Sequence, residues 1–415
     1  MTAPEAPSHS TPARAALPLA RRADFLVGSI IDSSTALLAE QRHDIVRFAM
    51  GSPAPEAIPT AILAQLGEAA IGADSPDAYD YAATDGDPEL LAALVHHLDG
   101  TSDATTADRL VITSGGMQGL DLACTLFVDP GDLVAVESPT YTNGTATALS
   151  YEAELLEVPV DADGMDLDAL VAGVEAAGRR PKVVYTVPTF QNPSGVTMSL
   201  ARRLRLLDLA REWGSVVLDD DPYGMLGFDE HTVPTLHELA AGDPLVFSVR
   251  TFSKIIAPGL RVGWVDADPS LRTLLIHAKQ AMDTCTNLPA QRLVAAFLRE
   301  GHLEEHLRIQ RMRYATRKQA MHEALTTHFG ARARWTDPAG GFFLWLTFED
   351  PVDTQRLFEV ALAQGVAVIP GNAFSAQGRF PHSLRLCFAS CTPERIAEGV
   401  ARLREAVDRM DRTVS

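Results

Sequence analysis

Between residues 108 and 265, short apolar runs alternate with helix-like segments of about 10 to 15 residues, and few patterns narrow the choice of fold as much. Strands joined by crossover helices lie parallel in one sheet, with helices on both faces. The runs at 110–113, 133–136, 183–187, 216–218 and 245–249 are almost continuously apolar, as strands covered on both sides must be. Ligands of such sheets collect beyond the carboxyl ends of the strands, and polar motifs follow the last four runs.

The chain has 415 residues, more than one hydrophobic core usually sustains, so two domains are expected. Residues 1–25, rich in Ala, Pro, Ser and Thr, read as a mobile arm, and 26–60 as a segment packing with the small domain. A large domain is placed at 61–295 and a small α+β domain at 296–415. Within the latter, 303–329 has the pattern of a long amphipathic helix, with Leu307, Met321 and Leu325 inside and Arg308, Arg311, Arg317 and Lys318 outside. Strand-like segments at 342–346 and 384–388 and a terminal helix at 393–410 follow.

A formal net charge of −19 argues against nucleic acid as a partner, because binding the phosphate backbone needs clustered Lys and Arg. No uninterrupted apolar stretch approaches about 18 residues, so no membrane span is expected. Cys124, Cys285, Cys387 and Cys391 lack zinc or redox spacing, which points to a reducing, cytoplasmic setting and to no metal.

Lys254 ends the run Arg250-Thr251-Phe252-Ser253-Lys254, and alone it reads as a solvated charge at a strand end. Gly115-Gly116-Met117-Gln118 opens a helix after the run at 110–113. Backbone N–H groups at a helix start suit phosphate, although paired glycines also make a plain tight turn. Arg261, past Pro258-Gly259, can add a bidentate contact to that phosphate beside the Thr251 hydroxyl, or form a surface ion pair.

Asp219-Asp220-Asp221-Pro222-Tyr223 closes the run at 216–218 and reads as a solvated turn, a metal site, or a carboxylate for a ring nitrogen. Strand alternation puts Val216, Leu218 and Asp220 on one face and Asp219 and Asp221 on the other, which singles out Asp220. A buried carboxylate there can keep a pyridine nitrogen protonated, and Tyr223 can donate to the phenolic oxygen of such a ring. Asn192, in Gln191-Asn192-Pro193-Ser194-Gly195, is a second donor to that oxygen or part of a turn. Tyr141 can stack on a flat ring or pack as a buried tyrosine.

In their order and separations these residues resemble the fold-type I pyridoxal-phosphate enzymes of the class I/II aminotransferase family. The branch in question holds aminoadipate aminotransferases and the aminotransferase-like halves of GntR-type regulators, and the resemblance covers roughly residues 22–410. It implies an α/β fold: a large domain with a mainly parallel, seven-stranded type of sheet covered by helices, plus a smaller α+β domain. It implies pyridoxal 5′-phosphate as cofactor, with Lys254 as the Schiff-base lysine, Asp220 on the ring nitrogen, and Tyr223 and Asn192 on the ring oxygen. Tyr141 is implied as the stacking ring, and Gly115, Gly116, Met117, Thr251, Ser253 and Arg261 as the phosphate lining. Tyr81 matches a tyrosine that reaches the neighbouring subunit's phosphate, which implies a homodimer with shared active sites. Arg385 matches the clamp on the substrate α-carboxylate, and Gly51 the loop flanking it.

Ser34 stands where relatives that handle acidic side chains carry an arginine, so the resemblance implies substrates with neutral or apolar side chains. Gly116-Met117 replaces a more polar pair, and Pro222 a usual alanine. The expected activity is ping-pong transfer of an amino group between an L-amino acid and a 2-oxo acid. A lyase or cyclase drawing on the same Cα carbanion is the alternative. A regulator is disfavoured because too few residues precede the matching region for a winged helix, and a nicotinamide dehydrogenase because Gly115-Gly116-Met117-Gln118-Gly119 is not GxGxxG.

Overall fold

The computed structural model describes residues 18–28, 43–72, 75–101, 103–229 and 233–414. Strands β1 (Leu110–Thr113), β2 (Leu133–Ser138), β3 (Glu154–Asp161), β4 (Gly164–Met165), β5 (Val183–Thr186), β6 (Val216–Asp220), β7 (Val246–Thr251) and β8 (Gly263–Asp266) form the large sheet. Their order is β1-β8-β7-β6-β5-β2-β3-β4. Strands β7, β6, β5, β2 and β3 are parallel in succession. β8 runs against both its neighbours, and the two-residue β4 is a hairpin return on β3. Without that return the sheet is seven-stranded and mainly parallel, as the α/β reading expects.

Side-chain alternation sorts the apolar residues of this sheet into two layers. Val183, Tyr185, Val216, Leu218 and Val249 pack beneath the helix Gly116–Phe127. Val184, Val217 and Val246 pack against the helices Leu167–Ala177 and Leu200–Trp213 on the other face. Each such buried valine or leucine contributes about 1.5–3 kcal/mol relative to exposure. The alternation that buries Val216 and Leu218 on one face carries Asp220 to that same face at the strand end.

The smaller sheet is antiparallel and contains Ala333–Trp335, Phe343–Phe348, Ser383–Cys387 and Ile369–Pro370, in that order. The helices His302–His328 and Pro393–Val414 pack on it. Val46–Arg47 pairs in parallel with Val366–Ala367. One continuous core runs from Leu110, Ile112 and Trp264 of the large sheet to Leu344 and Leu386 of the small one. A domain boundary after residue 295 falls inside the helix Leu288–Arg299, so we propose Gly301, with φ +74°, as the junction.

Of the arm expected at 1–25, residues 1–17 lie outside the described residues, while Arg21–Phe25 form a short 3-10 helix with Arg21 paired to Glu152. Arg317 corrects the expected outer face of the long helix. It is buried, donating to the Ala389 carbonyl and the Glu56 carboxylate, so its charge is satisfied inside.

Candidate active site

The carboxyl ends of β1, β2, β5, β6 and β7 meet the small domain around one cavity of ≈ 200 Å3. Of the residues singled out from sequence, Gly51, Gly116, Met117, Tyr141, Asn192, Asp220, Tyr223, Thr251, Ser253, Lys254, Arg261 and Arg385 line it. Gly115 precedes the lining helix start. Tyr81 is 83% exposed and lies away from this chain's cavity, and Ser34 falls outside the described residues.

Lys254 follows β7 and is half-buried, its Nζ donating to the Gly51 carbonyl at 2.8 Å. Burial, reinforced by the positive charge of Arg385, pushes its pKa down to about 8. The neutral amine, which is the nucleophile and base, is therefore available near neutral pH. Competitive acetylation of the cofactor-free protein across a pH series is expected to label Lys254 with a midpoint near pH 8. Below it the amine is an unreactive ammonium, and above it the rate levels off; a midpoint above about pH 10, the ordinary lysine range, contradicts the burial argument.

The three aspartates are separated by the strand. Asp220 is buried and accepts from the Tyr185 hydroxyl at 2.9 Å. Burial, partly offset by that hydrogen bond and augmented by the charges of Asp221 and Asp219, raises its pKa to about 7. Asp219 points the opposite way, accepting from Ser248 Oγ and Arg250 Nη2, each at 2.9 Å. Asp221 accepts from the backbone N–H groups of Tyr223 and Gly224 and so shapes the turn after β6. Among the described residues no His, Cys, Asp and Glu cluster is placed to hold a metal.

One end of the cavity is built for an anion. The helix Gly116–Phe127 starts there with no side chain capping its first N–H groups. Gly115 has φ +80°, and a Cβ on it would lie 2.4 Å from Arg261 Nη2, so a larger residue would strain the turn and displace Arg261. Arg261 donates to the Ser114 carbonyl at 3.1 Å and to Ser253 Oγ at 3.3 Å, and Thr251 Oγ1 to Ser253 Oγ at 2.9 Å. All these partners are neutral, so the guanidinium charge is available to a ligand.

At the other end stands Arg385, fully buried. Nη1 donates to Asn192 Oδ1 at 3.1 Å and Nη2 to the Ala49 carbonyl at 2.6 Å, while Nε is buried without a partner. The rings of Phe343 and Phe374 flank it, at 4.3 and 5.1 Å from the guanidinium carbon. A buried cation held by neutral groups, with its Nε–H unpartnered, fits a carboxylate. Gly51 lies beside it, since a Cβ there would stand 3.9 Å from Arg385 Nη1 and 3.2 Å from the Phe343 ring.

Tyr185, Phe343 and Phe374 were not singled out from sequence. Tyr185 was within reach of that reading, because it pairs in register with Leu218 on the Asp220 face. For the two phenylalanines only their tertiary placement around Arg385 reveals the role.

A family model for aminotransferases of class I and II matches residues 44–403. Aromatic-amino-acid aminotransferase 1 of Thermococcus litoralis is 36% identical over 371 residues, covering 88% of this chain and 89% of that one. The crystal structure of Pyrococcus horikoshii kynurenine aminotransferase, in complex with PMP, superposes with a TM-score of 0.88 at 35% identity, covering 94% of this chain and 97% of that one. LysN, the α-aminoadipate aminotransferase of Thermus thermophilus, solved with N-(5′-phosphopyridoxyl)-L-leucine, gives 0.86 at 35% identity and the same coverage. The chain belongs to the class I and II aminotransferases, fold-type I enzymes that use pyridoxal phosphate. The cavity fits that cofactor: an uncapped helix start and an available arginine suit its phosphate, and the buried Asp220 carboxylate, held only by a neutral hydroxyl, suits a protonated ring nitrogen. Among the described residues no helix is long and apolar enough to cross a membrane.

Proposed function

We propose that this aminotransferase moves an amino group between an L-amino acid with a neutral or apolar side chain and a 2-oxo acid, in ping-pong order. When bound, pyridoxal phosphate supplies the carbonyl that takes up the amino group and a conjugated ring that accepts the electrons left on the substrate Cα. Gly115, Gly116, Met117, Thr251, Ser253 and Arg261 hold its phosphate, Tyr141 stacks on its ring, and Asp220 keeps its nitrogen protonated. Tyr223 and Asn192 donate to its phenolic oxygen. Arg385 orients the amino acid by its α-carboxylate beside Gly51, which points the Cα–H bond at Lys254. Lys254 Nζ takes that proton and returns it to the acceptor carbon, a task matched by its lowered pKa. The observation that carries this reading is the convergence of Lys254, Asp220 and Arg385, from three distant segments, on one cavity.

Tyr81 is assigned to the phosphate of a second copy, making the working unit a homodimer, and its exposure on the single chain supports that role. The assembly is proposed to be cytoplasmic, as the scattered free cysteines suggest.

The side-chain preference rests on charge. Among the described residues lining the cavity the cations are Lys254, Arg261 and Arg385, and all three have assigned tasks. Together with Ser34 this leaves a second carboxylate unpaired, which costs several kcal/mol on burial. In a donor panel, kcat/KM for leucine, methionine and an aromatic amino acid is expected to exceed that for glutamate or aminoadipate by about 10²-fold or more. A clear preference for glutamate or aminoadipate contradicts the specificity reading. The same panel, with the oxo-acid product measured, separates transamination from elimination.

A further inference from the structure

We infer that Lys279, Asp283 and Gln118 form a brace behind the Ser114-Gly115-Gly116 turn that positions it as a phosphate cradle, an inference that rests on the cofactor reading above. Gly115 sits in the turn at φ +80°, and it offers no side chain to cap the helix it opens. On the cavity side Arg261 crowds it. From behind, the Ser114 N–H donates to Gln118 Oε1 and Ser114 Oγ to Asp283 Oδ2, both at 2.8 Å.

Gln118 is the hub, and its amide has a single workable orientation. Oε1 also accepts from Lys279 Nζ at 2.9 Å, and Nε2 donates to Asp283 Oδ2 at 2.8 Å. Lys279 closes the ring by donating to Asp283 Oδ1 at 2.7 Å. Turning the amide over would set its NH2 group against an ammonium and a peptide N–H, and its oxygen against a carboxylate. Lys279 has a fully buried side chain, so it has no water to exchange for these partners. None of Gln118, Lys279 and Asp283 lines the cavity, which makes them positioning residues.

A buried ion pair is often no more stabilising than well-packed apolar residues of similar volume. What the pair supplies here is placement: it fixes the amide that fixes the Ser114 N–H, and so aims the next N–H groups along the chain at one point.

The test uses the full-length, cofactor-free protein as wild type, Ser114→Ala, and the double variant Lys279→Met/Asp283→Leu. Affinities for pyridoxal phosphate and for pyridoxal, the same ring without phosphate, are measured by absorbance titration. In both variants affinity for pyridoxal phosphate is expected to fall about tenfold, the loss of one hydrogen bond's worth of alignment. Affinity for pyridoxal is expected to hold, and inorganic phosphate to compete less well than in wild type. Ser114→Ala removes a single hydroxyl and carries the test should the double variant fail to fold. Equal losses for the two ligands, or no loss for either, overturn the brace. Wild-type protein that takes up no pyridoxal phosphate overturns the cofactor reading and the brace together, whereas wild type that binds beside variants that match it overturns the brace alone.

Discussion

Replacing Lys254 by alanine is expected to lower kcat by about 10³-fold or more while leaving cofactor uptake measurable, since a positioned general base alone contributes 10²- to 10⁴-fold. The phosphate end of the cavity is built by other residues, so the variant keeps an anchor for the cofactor. What it loses is the one amine held near the Gly51 carbonyl with its pKa pushed down to about 8. Single-turnover absorbance changes with a good amino donor report the loss directly. A Lys254→Ala protein retaining a tenth of wild-type turnover would place the proton-transferring group elsewhere.

Asp220→Asn is the second large effect, expected at about 10²-fold on kcat, because it removes a charge-assisted partner of the ring nitrogen. Asp219→Asn differs in kind, since that carboxylate faces Arg250 and Ser248. Its loss leaves a buried guanidinium half-compensated and lowers stability on the order of 3 kcal/mol, with a smaller effect on rate. The pH dependence separates catalytic damage from misfolding. In the cofactor-free protein the folded-state pKa of Asp220 is raised to about 7, so between about 4 and 7 the folded state holds a proton that the unfolded state releases. Stability therefore falls as pH rises through that window, and the penalty is complete above it. Cofactor-free Asp220→Asn is expected to melt higher than wild type at pH 8 and to match it near pH 4. If Asp221→Asn proves the crippling change for turnover instead, the assignment of Asp220 fails.

Much of this was legible because a parallel sheet leaves a strong signature. The apolar runs located five of the strands, and the period-two alternation of Val216, Leu218 and Asp220 predicted which carboxylate shares the cavity face. Three strands of the large sheet escaped it, one of them the two-residue β4. β3 contains Pro159, which argues against a strand in the interior but is tolerated near a sheet edge, and β8 is short and antiparallel to its neighbours. Arg317 was misplaced because helical periodicity sorts by polarity, whereas Ala389 and Glu56, distant in sequence, satisfy it inside. The partners of Arg385 were unreadable for the same reason: Asn192, Ala49, Phe343 and Phe374 meet only when the two domains pack.

The assignment of Lys254 as the residue that carries pyridoxal phosphate is the claim on which the rest depends. The chain's lysines are Lys182, Lys254, Lys279 and Lys318, few enough for each to be followed separately. Borohydride reduction of the holoenzyme, followed by peptide mapping, tests the claim directly. The account predicts the reduced cofactor on the peptide containing Lys254, and a label found on Lys182, Lys279 or Lys318 contradicts it.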